Sequence, residues 1–129
     1  MAIKRGVYNI EIFRGDTFNQ VFQHWDVNKD TGVRKVVDLS NWTLNAQLRN
    51  SPNAQTVEHE FVVKMINAKE GIFSINMTAE QTANLNPPIL NANKGGTWDL
   101  QYTHKTSKEV GTLITGSWTV INDTTREDV

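Results

Sequence analysis

The chain has 129 residues, 38% hydrophobic and 21% charged, a length that buries roughly two-thirds of its surface on folding as one globular domain spanning 1–129. This composition excludes intrinsic disorder and a coiled-coil or collagen-like rod. Thirteen basic residues against fourteen acidic ones leave a formal charge of −1, without the cationic surplus that nucleic acid or an anionic membrane selects. No apolar run reaches the ~20 residues of a bilayer span, and Met1-Ala2-Ile3-Lys4-Arg5 carries no apolar signal-peptide core, so a soluble chain made in the cytosol is expected. With no cysteine there is no disulfide framework, thiolate metal site or cysteine nucleophile.

Period-2 alternation dominates, and an all-β fold follows from it. Residues 1–5 carry no pattern and are expected to be a flexible arm. Tyr8, Ile10 and Ile12 then oppose Asn9 and Glu11. Arg14-Gly15-Asp16 reads as a turn, followed by a noisier strand over residues 17–25. The polar run Asn28-Lys29-Asp30-Thr31-Gly32 reads as a loop. Trp42, Leu44, Ala46 and Leu48 alternate with Thr43, Asn45, Gln47 and Arg49. After the turn Ser51-Pro52-Asn53, Val57, Phe61, Val63 and Met65 oppose Glu58, Glu60 and Lys64 in one further strand. Ala68-Lys69-Glu70-Gly71 is a tight connection into Phe73, Ile75 and Met77, which alternate with Ser74 and Asn76.

One helix is predicted. Thr78 caps it, Gln81 completes a capping box, Ala79, Ala83 and Leu85 form its inner stripe, and Pro87-Pro88 stops it. Trp98, Leu100 and Tyr102 then alternate with Asp99, Gln101 and Thr103. The last segment, 110–121, carries Trp118 and Val120 on one parity, and Gly116 marks a bulge or a break between two short strands. Residues 122–129 are polar and without alternation, a tail that orders on a partner. Seven or eight strands with short connections and one short helix favour a meander or Greek key, arranged as a two-layer, immunoglobulin-like β-sandwich. Trp42, Leu44, Leu48, Phe73, Ile75, Trp98, Leu100, Tyr102 and Trp118 are its expected core.

Chemical motifs are sparse. Arg14-Gly15-Asp16 matches the integrin-binding tripeptide, but glycine and aspartate are also what a hairpin corner requires. Asn41, Asn76 and Asn122 begin Asn-x-Ser/Thr sequons, with Asn76 inside a strand and no secretion signal ahead of them. His24, His59 and His104 lack the close spacing of a local metal site. Asp26, Asn28, Asp30, Thr31 and Asp38 offer oxygens, yet the downstream glutamate and fixed glycine of a calcium loop are missing, so a solvated loop is expected. No nucleophile elbow, Walker loop or dinucleotide fingerprint occurs, and Glu58 with Glu60 reads as a solvated edge. Neither catalytic residues nor a metal or cofactor is expected.

Trp25 ends its strand beside a polar loop, which makes it, of the four tryptophans, the one to expect partly exposed: either a cap on the core or a side-chain anchor for a partner. The expected interface is Trp25, Asp26, Asn28, Lys29, Asp30 and Arg34, with Arg126 from the tail.

The ordered set Ile12-Phe13-Arg14-Gly15-Asp16-Thr17-Phe18, Asp38-Leu39-Ser40-Asn41-Trp42-Thr43 and Gln47-Leu48-Arg49 resembles a group of small tailed-phage virion proteins. Ile72-Phe73-Ser74-Ile75, Thr78-Ala79-Glu80-Gln81-Thr82-Ala83, Trp98-Asp99-Leu100-Gln101-Tyr102 and Leu113-Ile114-Thr115-Gly116-Ser117-Trp118-Thr119-Val120 extend the likeness nearly end to end. That group is similar to the immunoglobulin-like N-terminal domain of phage upper-baseplate proteins. The resemblance implies a non-enzymatic virion part of the baseplate, neck or tail, made in the host cytoplasm and repeated in the particle, with other phage structural proteins as partners. A longer loop at residues 91–96 and the lack of a following fibre or receptor-binding domain point to an adaptor or decoration protein. A carbohydrate-binding or adhesion module using Trp25 and the polar loops is the competing class, and a small hydrolase with a dispersed site is a third.

Overall fold

The computed structural model describes residues 6–49, 57, 59–85 and 95–121. The expected arm 1–5, the tail 122–129 with Arg126 and Asn122, the turn 51–53, Glu58, Pro87-Pro88 and residues 91–94 lie outside them. The protein is all-β with one short helix. In chain order its strands are β1 (Gly6–Val7), β2 (Ile10–Phe13), β3 (Phe18–Gln23), β4 (Trp25–Val27), β5 (Arg34–Val36) and β6 (Trp42–Arg49). They continue as β7 (His59–Glu60), β8 (Val62–Asn67), β9 (Ile72–Met77), then helix α1 (Ala79–Ala83), β10 (Gly95–His104) and β11 (Val110–Ile121).

A six-stranded mixed sheet runs β1-β11-β10-β6-β7, with β2 also on β11. A three-stranded antiparallel sheet runs β3-β9-β8, and β4 and β5 form a separate hairpin. β1 and β2 are both parallel to β11 and keep one register, Val7 opposite Thr115 and Ile10 opposite Trp118. Between them the Asn9 side-chain oxygen replaces a backbone acceptor, taking the Ser117 N–H at 3.0 Å.

The alternation in the sequence buries the parities it predicts in β2, β6 and β10. Ile10, Ile12, Leu44, Ala46, Leu48, Trp98, Leu100, Tyr102, Trp118 and Val120 are all buried on the large sheet. Phe73, Ile75 and Met77 are buried on the small one. The two sets meet through aromatic rings: Trp98 lies 6.3 Å from Phe22 and 6.2 Å, edge-on, from Phe61.

Several expectations are corrected. Eleven strands are present among the described residues, against seven or eight, because 17–25 divides at His24, 57–65 divides at Phe61, and β1 and β5 form where no separate strand was expected. At Phe61, whose N–H bonds the Ala46 carbonyl (2.9 Å), the chain leaves the large sheet for the small one, and a register irregularity follows between Met65 and Asn67. The parity assigned to 57–65 survives that change at Phe61 and Val63 and fails only at Met65, which is exposed next to the irregularity. Trp42 is only half-buried: it opens β6 at the end of the sheet, where Tyr102 stacks on it at 4.5 Å. Ser74, assigned to the wet face, is buried and accepts from Asn76 Nδ2 (2.9 Å). The inner face of α1 is Thr82, with Leu85 beyond its end, whereas Ala83 is exposed. The capping box forms as read, Gln81 N–H to Thr78 Oγ1 (3.1 Å) and Thr78 N–H to Gln81 Oε1 (2.9 Å).

Gly116 does not break its strand, since β11 runs through it and the register irregularity lies where Leu100 and Gln101 face residues 112–114. A Cβ at Gly116 would stand 2.0 Å from the Tyr8 carbonyl oxygen, so glycine is there to let that carbonyl approach.

Candidate partner-binding surface

The hairpin β4–β5 follows β3 through His24, whose N–H bonds the Gly71 carbonyl (2.9 Å) and whose carbonyl accepts from Val37 (3.0 Å). Gly71 is in the left-handed region at φ 71°, and a Cβ there would press on the Val37 and His24 carbonyls at 2.7 and 2.9 Å. That close approach fixes the hairpin base against the 3₁₀ turn Ala68–Glu70. Beyond the base every residue from Trp25 to Lys35 is exposed, so the hairpin projects from the body.

Its loop is held mainly by Asn28, with the Thr31 hydroxyl accepting from the Val33 amide (3.3 Å). Asn28 Oδ1 accepts from the Asp30 and Thr31 amides (2.9 and 3.2 Å), while its backbone exchanges bonds with Gly32 and Val33 (2.8 and 2.9 Å). This is the local turn chemistry for which asparagine is favoured. Asn28 is therefore the residue that shapes the loop, and Lys29 and Asp30 are exposed around it. In the register Trp25 faces Val36, Asp26 faces Lys35 and Val27 faces Arg34, so alternation puts Trp25, Val27, Arg34 and Val36 on one face and the Asp26/Lys35 pair on the other. Of the interface residues expected from sequence, Trp25, Asp26, Asn28, Lys29, Asp30 and Arg34 are gathered on this hairpin, and Arg126 lies outside the described residues. Among the described residues, no three His, Cys, Asp or Glu side chains group as an ion site.

Trp25 is 41% exposed and also lines a groove of about 380 Å³ between the two sheets. Val7 of β1, Tyr8 just after it, Phe22 of β3, His24 and Ile114 of β11 complete most of its wall. The Tyr8 ring meets Phe22 edge-on at 5.2 Å, and its hydroxyl bonds Gln20 Oε1 at 3.2 Å. Burial holds the His24 pKa below its ordinary 6.5 against the opposing pull of Asp26, so the imidazole is neutral at pH 7. Sequence reasoning took the loop for a solvated hairpin loop but missed its second strand, β5, and Val7 at 78% exposure. Only half of the signal was available: Trp25-Asp26-Val27 alternates ahead of a recognised loop, whereas Val33-Arg34-Lys35-Val36 puts one valine on each parity.

The Arg14-Gly15-Asp16 turn is docked on α1 rather than presented. Arg14 Nη1 donates to the Ala83 carbonyl (2.9 Å), and Gly15 N–H donates to Thr82 Oγ1 (3.0 Å). The Thr82 hydroxyl has its one proton placed between the Asp16 and Ala79 carbonyls, 2.8 and 3.0 Å away.

A second, polar cleft of about 290 Å³ lies on the outer face of the large sheet, lined by Asn45, Gln47, Arg49, Glu60, Asp99 and Gln101. Arg49 Nη2 donates to Gln47 Oε1 at 3.1 Å. Desolvation raises the Asp99 pKa, and the nearby Arg49 charge partly offsets it. No helix among the described residues is long and apolar enough to cross a membrane. The chain matches no protein-family model and no curated protein sequence.

Proposed function

We propose that this chain is a non-enzymatic structural component of a tailed-phage virion, an adaptor or accessory part of the baseplate, neck or tail, and that its facing sheets form an immunoglobulin-like sandwich. The observation that carries the reading is the ordered series of motifs from Ile12-Phe13-Arg14-Gly15-Asp16 to Ser117-Trp118-Thr119-Val120, in the spacing of that group. The distribution of exposed apolar side chains supports it. Val7, Trp25, Val27, Val33, Val62 and Ile66 sit on edge strands and the hairpin, where a neighbour gains both side-chain burial and backbone pairing. Trp25 is the anchor, Asp26, Lys29, Asp30 and Arg34 supply polar contacts around it, and Asn28 holds the loop that presents them. The partners are other phage structural proteins and the chain is present in many copies; the role calls for no cofactor, nucleic acid, membrane or small-molecule substrate. Mass spectrometry of gradient-purified particles is expected to find the chain at a fixed ratio to tail or capsid proteins. Abundance in the lysate with absence from particles overturns the reading, and a map of the virion separates an adaptor from a capsid decoration protein.

One observation favours a second reading, a carbohydrate-binding module. The polar cleft collects three amides, a guanidinium and two carboxylates, groups that hydrogen-bond hydroxyl-rich ligands. A glycan array without binding removes it.

A further inference from the structure

Both strands that flank the groove are sheet edges, and backbone phase decides which of their groups are open. The Tyr8 N–H bonds the Thr115 carbonyl (2.9 Å), so Tyr8 and Gly6 turn toward β11 and Val7 turns its N–H and carbonyl away. On the other side His24 N–H bonds Gly71, which makes Phe22, Gln20 and Phe18 the residues that bond β9. Asn19, Val21 and Gln23 therefore turn their N–H and carbonyl groups to the open edge of β3, a span of about 14 Å. Among the described residues no strand pairs with that edge.

Open edges carry protection in most proteins: lysine, proline, bulges or inward charge. β8 has Lys64 and a register irregularity, and β5 has Arg34 and Lys35. β3, with the sequence Phe-Asn-Gln-Val-Phe-Gln, has none of these; the Gln20 side chain, which donates to the Val21 carbonyl (3.1 Å), is a cover that an incoming N–H displaces.

We propose that the open edge of β3, with the groove beside it, receives an extended, uncharged segment of another protein as an added strand. Charge selects the occupant: the groove is lined by Val7, Tyr8, Phe22, Trp25, Leu113 and Ile114, with no Asp, Glu, Lys or Arg on its wall. A charged side chain placed there loses its hydration without a partner. A second copy fits poorly. Its β3 has Phe18 and Phe22 committed to its own core against Phe61 and Phe73, and its β2, β4, β5, β7 and β8 carry Glu11, Asp26, Arg34, Glu60 and Lys64. The segment has apolar residues at alternate positions, one set entering the groove while its backbone pairs with Val21 and Gln23. This deepens the adaptor reading by naming the edge used, and rests on it only for where the partner comes from.

The test titrates the ¹⁵N-labelled chain with a blocked heptapeptide of alternating valine and threonine, and with a control in which lysine replaces valine. Saturable NMR shifts at Val7, Val21, Gln23 and the Trp25 indole are expected, at least tenfold weaker for the lysine peptide. Val21→Pro removes an N–H that faces the open edge and none that bonds β9, so the fold is kept and binding is lost. Gln23→Pro serves the same purpose if Val21→Pro does not fold. Absence of shifts at millimolar peptide, shifts confined to the polar cleft, or undiminished binding by the proline variants overturns the proposal. Sedimentation showing a dimer that Val21→Pro dissociates assigns the edge to a second copy, and overturns it equally. None of these results bears on presence in a virion, which particle composition decides separately.

Discussion

The indole N–H of Trp98 donates to the Tyr8 carbonyl at 2.7 Å, directly above Gly116, and so ties the N-terminal edge strand to the middle of the large sheet. Trp118 repeats the device toward the opposite edge, its Nε1 bonding the Arg49 carbonyl at 2.8 Å. Both indoles are buried, and each satisfies its N–H at a backbone carbonyl distant in sequence.

Replacing Trp98 separates packing from the hydrogen bond. Trp98→Ala is expected to cost about 3–5 kcal/mol, the range for truncating a core aromatic, and Trp98→Phe about 1–2 kcal/mol more than its lost area accounts for, because the Tyr8 carbonyl is left unmet. Urea denaturation measures both. A loss below about 1 kcal/mol for Trp98→Ala contradicts the core position. Gly116→Ala is expected to destabilise as well, since its methyl occupies the site of the Tyr8 oxygen.

Thr82→Val keeps the shape of the side chain and removes its hydroxyl, leaving the Gly15 amide without its acceptor. A loss of roughly 1–3 kcal/mol is expected, with faster hydrogen exchange at Gly15. Unchanged stability and exchange mean that the turn is held by other contacts.

Acid sensitivity is expected from His24. Its folded pKa lies below the ordinary 6.5, so as pH falls through 6.5 the unfolded chain takes up the proton first and stability declines toward the folded pKa; above 6.5 the effect is flat. Thermal melts of His24→Gln between pH 5 and 7 are expected to show a shallower slope than the parent. Equal slopes assign the acid response to other groups.

Asp99 works in the opposite sense. Its folded pKa is raised above 3.8, so the native state holds the proton more tightly and ionisation at neutral pH costs stability. Asp99→Asn is expected to stabilise by up to about 0.5 kcal/mol at pH 7, given its partial exposure and the opposing Arg49, with the gain gone below pH 3.8. Destabilisation at pH 7 means that the pairing with Arg49 outweighs the desolvation.

Local pattern alone determined the β class, the buried parity of β2, β6 and β10, and the capping box at Thr78 and Gln81. Each rests on residues within a few positions of one another: side chains alternate across a pleat, and an Ncap hydroxyl reaches the amide three residues on. The candidate surface was half legible. The partial exposure of Trp25 beside a polar loop was legible, whereas the open edge of β3 and the groove were not, because edge or interior is a property of which strands pair. Tertiary structure also decided Gly116, read as a bulge or a break and in fact the space for a carbonyl more than a hundred residues earlier in the chain, and Thr82, a helix residue whose hydroxyl holds a turn 66 residues away. It turned Phe61 into the point where one apparent strand changes sheets. Period-2 alternation records which side of a strand is buried, but carries no information about which neighbour, or which of two sheets, does the burying.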